Sequence, residues 1–240
     1  MRKIGCIIFL IFVGIVCKAQ TFIQSVADST VVTEYNDGKQ WVYREIDDFV
    51  VGLTSYESND DYGKYYQINI FIHNQGYTSV TFNPEEVAAR LITKRGDSLQ
   101  LQVYTNETFQ KKIKRSQAWT MALYGVAAGL NAGTAGHSTS YSTSYSPNGY
   151  AYTTVTHHYD ASATYQANMA TSNQIATLGR TLEDDRAIKE EGYLKKTTIH
   201  PGESIVGYMN IKRKKGLILT VDVLMDGNVY SFDWDVRKKK

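Results

Sequence analysis

The chain has 240 residues, 42% of them hydrophobic and 21% charged, with a formal net charge of +2. So small a surplus argues against nucleic acid as the main partner. The two cysteines, Cys6 and Cys17, both fall in a segment that reads as an export signal, which leaves the exported chain without a disulfide, a thiolate metal site or a cysteine nucleophile.

Arg2 and Lys3 give that segment its positive start, and Ile4 to Val16 is an apolar run. Cys17-Lys18-Ala19 places small residues at the −3 and −1 positions of a cut before Gln20. The run is short for a span of about 20 residues, which favours cleavage over a retained anchor. Bulky Val16 before Cys17 argues against a lipid-modified cysteine. Cleavage removes Arg2, Lys3 and Lys18 and takes the net charge to about −1. The expected address is the periplasm or outer envelope of a Gram-negative bacterium, with membrane association as a further option. What is left must be held together by its hydrophobic core, which a single domain of this length can supply.

Residues 30–104 read as strands. Val31 to Tyr35 and Gln40 to Arg44 flank Asn36-Asp37-Gly38-Lys39, a hairpin signal. Asp48 to Tyr56 is β-branched and aromatic. In Tyr65 to His73, Tyr66, Ile68, Ile70 and Ile72 fall on one face, with Tyr65, Gln67, Asn69 and Phe71 on the other. Ser79 to Phe82, Val87 to Thr93 and Leu99 to Tyr104 follow at short spacing, which suggests a sandwich or barrel. Glu203 to Ile211, Leu217 to Met225 and Val229 to Trp234 resume the pattern. Three late strands do not easily stand alone, so they are expected to complete the sheets begun upstream.

This divides the chain into a signal at 1–19, the first part of a β-sandwich at 20–105, an insertion at 106–195 and the last strands at 196–240. The insertion holds 44 consecutive positions, between Arg115 and Asp160, without one Asp, Glu, Lys or Arg. A helix is expected from about Glu107 to Gly133, with Lys111, Lys112, Lys114 and Arg115 in its early turns. Ala118, Ala122, Gly125, Gly129 and Gly133 form a small-residue stripe, and Trp119, Leu123, Val126 and Leu130 a bulky one beside it. Such small-residue spacing lets another backbone approach closely. Two readings stand: a helix that meets a membrane, with the basic cluster at the headgroups, or a close-packed hairpin with a second helix. Thr120, Asn131 and the glycines make it a poor spanning segment and favour the hairpin. His137 to Tyr159 is rich in Ser, Thr and Tyr, with a near-repeat, Ser138-Thr139-Ser140-Tyr141 and Ser142-Thr143-Ser144-Tyr145. A β-hairpin and a disordered polar loop fit it equally. Ala161 to Glu191 reads as the second helix, with Ile175, Leu178 and Leu182 as its apolar seam.

The pattern holds no catalytic set. His157 and His158 are adjacent and would point to opposite faces of a strand, and no spaced carboxylates join them. Arg95-Gly96-Asp97 has the composition of a tight turn. There is no Gly-x-Ser-x-Gly elbow and no phosphate loop. No enzyme activity, cofactor or metal is expected. Tyr141, Tyr145, Tyr150, Tyr152 and Tyr159 have little core around them, so a surface that binds a partner is the better reading of that cluster.

Two segments, His73-Asn74-Gln75-Gly76 with Val80-Thr81-Phe82-Asn83-Pro84, and Ile199-His200-Pro201-Gly202-Glu203-Ser204-Ile205-Val206-Gly207, resemble the turns and corners of immunoglobulin-like β-sandwich envelope proteins. The resemblance implies an antiparallel sandwich and an envelope address, and it carries no functional residues. The function expected is a non-enzymatic envelope protein whose insertion contacts a membrane surface, an envelope protein or further copies of the chain in a homo-oligomer. The alternative is a secreted module that binds glycan or protein through tyrosines. The interaction residues expected are Ala118, Ala122, Gly125, Gly129, Gly133, Tyr141, Tyr145, Tyr150 and Tyr152.

Overall fold

Alternation of apolar and polar residues sets the strands, and short turns set their order. The computed structural model describes residues 18–23, 31–36, 38–145 and 151–237. Most of the segment expected as an export signal, up to Cys17, and Tyr150 lie outside them. The elements in chain order are β1 (Lys18–Ala19), β2 (Thr21–Phe22), β3 (Val31–Asn36), β4 (Lys39–Ile46), β5 (Phe49–Asp60), β6 (Gly63–Asn74), β7 (Val80–Phe82), β8 (Ala88–Ile92), β9 (Ser98–Leu101), β10 (Val103–Tyr104), α1 (Asn106–Thr134), β11 (His137–Tyr145), β12 (Ala151–Tyr159), α2 (Ala161–Glu190), β13 (Thr197–Ile199), β14 (Ser204–Lys212), β15 (Ile218–Met225) and β16 (Asn228–Asp235). The chain is thus mainly β, with antiparallel sheets and two helices. It divides into two compact units, one of residues 106–193 and one of the chain on either side.

In the flanking unit the first sheet runs β10-β14-β6-β5-β4-β3, with β1 added on β5, and the second runs β2-β16-β15-β8-β9. The long strand β6 shows why. Tyr66, Ile68, Ile70 and Ile72 are fully buried on one face, as the period of two requires, and Gln67, Asn69 and Phe71 are only half-buried. It pairs with β5 from Phe49↔Asn74 to Asp60↔Gly63, and with β14 from Ser204↔His73 to Lys212↔Tyr65. β15 alternates in the same way, burying Leu219, Val221, Val223 and Met225. Asp226 and Gly227, both at positive φ, join β15 to β16 in a two-residue turn. β16 lies against β4 and β5 of the first sheet. The Tyr230 hydroxyl donates to the carbonyls of Ile46 and Phe49, the Arg44 guanidinium lies 5.8 Å from the Phe232 ring, and Trp234 meets Phe22 edge-on. Late strands therefore complete sheets begun before residue 105.

The two segments that resemble sandwich corners meet at Asn74, which is fully buried. Its Nδ2 donates to the Thr78 and Ile199 carbonyls, and its Oδ1 accepts from the Gly76 N–H. Its backbone N–H donates to Glu203 and its carbonyl accepts from Gly202. The short pair β7 and β13 lies alongside, in register from Thr197↔Phe82 to Ile199↔Val80. Arg95-Gly96-Asp97 is a turn, with Gly96 at φ 89° and its N–H donating to Thr93.

Burial also sets an alkaline limit. Desolvation pushes the Tyr66 and Tyr230 phenols from the ordinary 10.0 up to about 12, and the charges of Asp47 and Asp226 add to the effect at Tyr230. Below pH 10 both the folded and unfolded chains hold these protons. Between about pH 10 and 12 the unfolded chain loses them first, so it binds fewer protons and stability falls. The urea midpoint is expected to drop across that window. Tyr66→Phe with Tyr230→Phe should make the drop shallower, measured by tryptophan fluorescence, and leave the part owed to Tyr65, Tyr104 and Tyr43, whose phenols burial also raises.

Candidate interaction surface

The unit of residues 106–193 is two helices joined through a β-hairpin. Asp160 caps α2, its side chain accepting from the Ser162 and Ala163 N–H groups. Gly136, at φ 82°, makes the step from α1 to β11 where a Cβ would collide with the Asp160 carbonyl. The Thr164 hydroxyl donates to Ala135 and ties the two helix ends together. At the other end the rings of Phe109 and Tyr193 stack 5.2 Å apart.

α1 meets α2 along Gln117, Met121 and Tyr124, a row that Ile113 and Ala128 extend along α1. Gln117 Nε2 donates to the Leu182 carbonyl, the Tyr124 hydroxyl bonds Gln174, and Met121 reaches Gly179. Ile113 and Ala128 are buried. The small stripe Ala118, Ala122, Gly125 and Gly129 is one residue later in phase, about 100° further round at 3.6 residues per turn. A Cβ added at Gly125 or Gly129 would meet nothing within 4 Å. The two helices thus pair, and the glycine stripe is not their seam: spacing defines a face, and the larger Gln117, Met121 and Tyr124 meet the partner helix. Gly133 continues the stripe along the α1 backbone. Beyond it, Trp119, Leu123 and Val126 are 69%, 58% and 66% exposed. Gly125→Ala and Gly129→Ala are therefore expected to stabilise the dilute chain by roughly 0.5–1 kcal/mol each, because each lowers the unfolded-state entropy without a clash. Thermal unfolding at low protein concentration checks this.

His137–Tyr145 and Ala151–Tyr159 pair as a β-hairpin, the first of the two alternatives. Its nine pairs run from His137↔Tyr159 through Tyr141↔Val155 to Tyr145↔Ala151. Odd-numbered residues share one face and even-numbered residues the other. Thr139 bonds His157, Ser140 bonds His158, and Thr143 bonds Thr153. His157 and His158 are exposed, and among the described residues no group of His, Asp or Glu is placed to hold a metal. Tyr141 is 73% exposed and Tyr159 61%. Tyr145 and Tyr152 stand near the tip by register. Of the expected interaction residues, Tyr141, Tyr145 and Tyr152 thus belong to the hairpin strands and the small stripe to α1, two separate elements.

The flanking unit holds a feature that the pattern of residues did not signal. A cleft of about 280 Å³ is lined by Tyr66, Lys94, Arg213, Lys215, Leu217 and Arg237. Arg213 is paired with Glu57 at 2.7 Å and Arg237 with Asp235. Lys94 and Lys215 remain to attract an anion at its rim. Tyr66 comes from β6, Lys94 from the β8–β9 loop, Arg213, Lys215 and Leu217 from the β14–β15 loop and Arg237 from the segment after β16, so they leave no local motif to read.

No protein-family model matches the chain, and no curated protein or solved structure matches it. Among the described residues no helix is long and apolar enough to cross a membrane.

Proposed function

We propose that the chain is a non-enzymatic, exported cell-envelope protein. In this reading the two antiparallel sheets form an immunoglobulin-like β-sandwich scaffold, and residues 106–193 mediate association with a membrane or with further copies of the chain. One observation carries it: Trp119, Leu123 and Val126 stand exposed on α1, away from α2, within an uncharged stretch that follows Lys111, Lys114 and Arg115. A bulky apolar face next to a basic cluster suits an interface plane or a second protein better than water. The contact of β16 with β4 and β5 supports the sandwich.

The test compares the full chain with a Trp119→Asn, Leu123→Asn variant by light scattering and by flotation with anionic vesicles. Because both side chains are exposed, the variant is expected to keep its thermal stability and lose the association. A full chain that neither oligomerises nor floats overturns the reading. The second reading, a module that binds glycan or protein through tyrosines, rests on the exposure of Tyr141 and Tyr159. Glycan-array binding that survives Trp119→Asn and disappears with Tyr141→Ala would favour it.

A further inference from the structure

We infer that copies of this chain assemble by strand addition, β11 of one copy pairing antiparallel with β12 of the next, so that the hairpins continue as one sheet. The inference rests on the self-association arm of the proposal above and specifies its contact.

The hairpin is a two-stranded sheet with no third strand among the described residues. Each strand therefore presents an outer row of backbone N–H and C=O groups over nine residues. Natural edges of this kind are protected by lysine, proline, a bulge or a covering segment. Neither strand contains a lysine or a proline, the register runs without a bulge, and the described side chains of both strands are exposed. A hairpin open on both edges and both faces is marginal alone, and further strands are the ordinary remedy.

The chemistry fits a second copy best. Both strands are free of charge, so like copies do not repel, and an antiparallel edge is its own complement. If the next hairpin docks in the register already used within the hairpin, odd-numbered residues stay with odd. Tyr141 then sits beside Val155 of the next copy, Ser142 beside Thr154, and Thr139 beside His157, and both faces continue unbroken.

Charge selects this head-to-tail contact over a two-fold one. With all hairpins pointing the same way, α1 of one copy runs beside α2 of its neighbour. Exposed Lys111, Lys114 and Arg115 at the start of α1 then approach exposed Glu183, Asp184 and Glu191 at the end of α2. A two-fold pairing of β11 with β11 would place Tyr141 on the axis and send the helix pairs in opposite directions, so these charges would not meet. A head-to-tail contact repeats, so the assembly exceeds a dimer.

The test uses the full chain with Cys6→Ser and Cys17→Ser, which leaves no native thiol. Ser142→Cys and Thr154→Cys are introduced in separate chains, which are mixed and oxidised. Facing residues of an antiparallel pair lie within disulfide reach. The expected result is a disulfide-linked dimer from the mixture, absent from either chain alone, and absent when Ser138→Cys replaces Ser142→Cys as an out-of-register control. Light scattering of the unmutated chain should show a species larger than two copies. A dimer from Tyr141→Cys alone, with none from the mixture, means two-fold pairing and overturns the inference. Oligomers that form without the in-register cross-link overturn it too, and leave self-association through α1 standing. Monomers that float on anionic vesicles overturn it and leave the membrane arm standing. A chain that neither floats nor oligomerises removes both.

Discussion

A chain in which residues 106–193 are replaced by a short Gly-Ser linker is expected to fold into a stable β protein that neither oligomerises nor binds vesicles. Tyr104 pairs with Asn210, and the Leu194 N–H donates to the Tyr208 carbonyl. The chain therefore leaves and rejoins the flanking unit along the same edge of β14, two residues apart, which is roughly 7 Å at about 3.3 Å per residue. A linker of about five residues spans that gap. Shortening the closed loop some sixteenfold lowers its closure entropy cost, by about 2.4 kcal/mol at ~0.6 kcal/mol per halving. Every strand of the two sheets lies outside the deleted segment. Far-ultraviolet circular dichroism should lose its helical component and keep its β signature, with cooperative thermal unfolding. A chain that fails to unfold cooperatively would show that residues 106–193 supply part of the core, and would overturn the division into scaffold and insertion.

Asn74→Ala is expected to be among the most damaging single substitutions outside the large apolar core. It leaves two carbonyls, of Thr78 and Ile199, and the Gly76 N–H without the side-chain partner they have now. Each buried group left unsatisfied costs about 1–3 kcal/mol, so a total of roughly 3–5 kcal/mol follows when non-additivity is allowed for. Asn74→Asp sharpens the test. It keeps an acceptor for Gly76 but directs a carboxylate at two carbonyls, in a site with no exposure. At neutral pH it should be at least as destabilising as alanine. Protonation restores one donor, so its deficit should shrink as the pH falls, whereas that of Asn74→Ala should not. Urea midpoints at pH 7 and pH 4.5 separate the two. An Asn74→Ala chain within about 1 kcal/mol of the parent would mean that the corner is held by its backbone bonds alone.

Much of this architecture was legible in the residues. β15, β16 and, from Tyr66 onward, β6 announce themselves because one face of each is buried with a period of two. The helices were legible to within a residue or two, since Ala-rich and Leu-bearing segments of about thirty residues between turns have few other options. Strands β1, β2 and β13 were not, being two or three residues long and placed by pairing rather than by pattern. The interaction surface was half legible. The small stripe on α1 is real as a face, but its direction depends on which neighbouring row, Ile113 to Ala128 or Ala118 to Gly129, buries more area against α2. That comparison needs both helices in place. Whether His137–Tyr145 and Ala151–Tyr159 would pair could not be read from Ser and Thr, which serve loops and strands alike. The cationic cleft of the flanking unit draws Lys94, Arg213 and Arg237 from distant loops, so no window of sequence contains it.

The pairing of β6 with β14 also sets a timetable. β6 ends at Asn74 and its partner begins at Ser204, 130 residues later. At translation rates of about 5–20 residues per second, the β6 edge waits roughly 6–26 s for its neighbour to emerge. The helical pair, whose contacts are local, can form within that interval, while the first half of the core stays open with Ile68, Ile70 and Ile72 on its exposed margin. The nascent chain thus remains without its full first sheet until β14 has emerged. On the export proposed above, that order keeps the chain open during its passage, and β14 to β16 act as the lock.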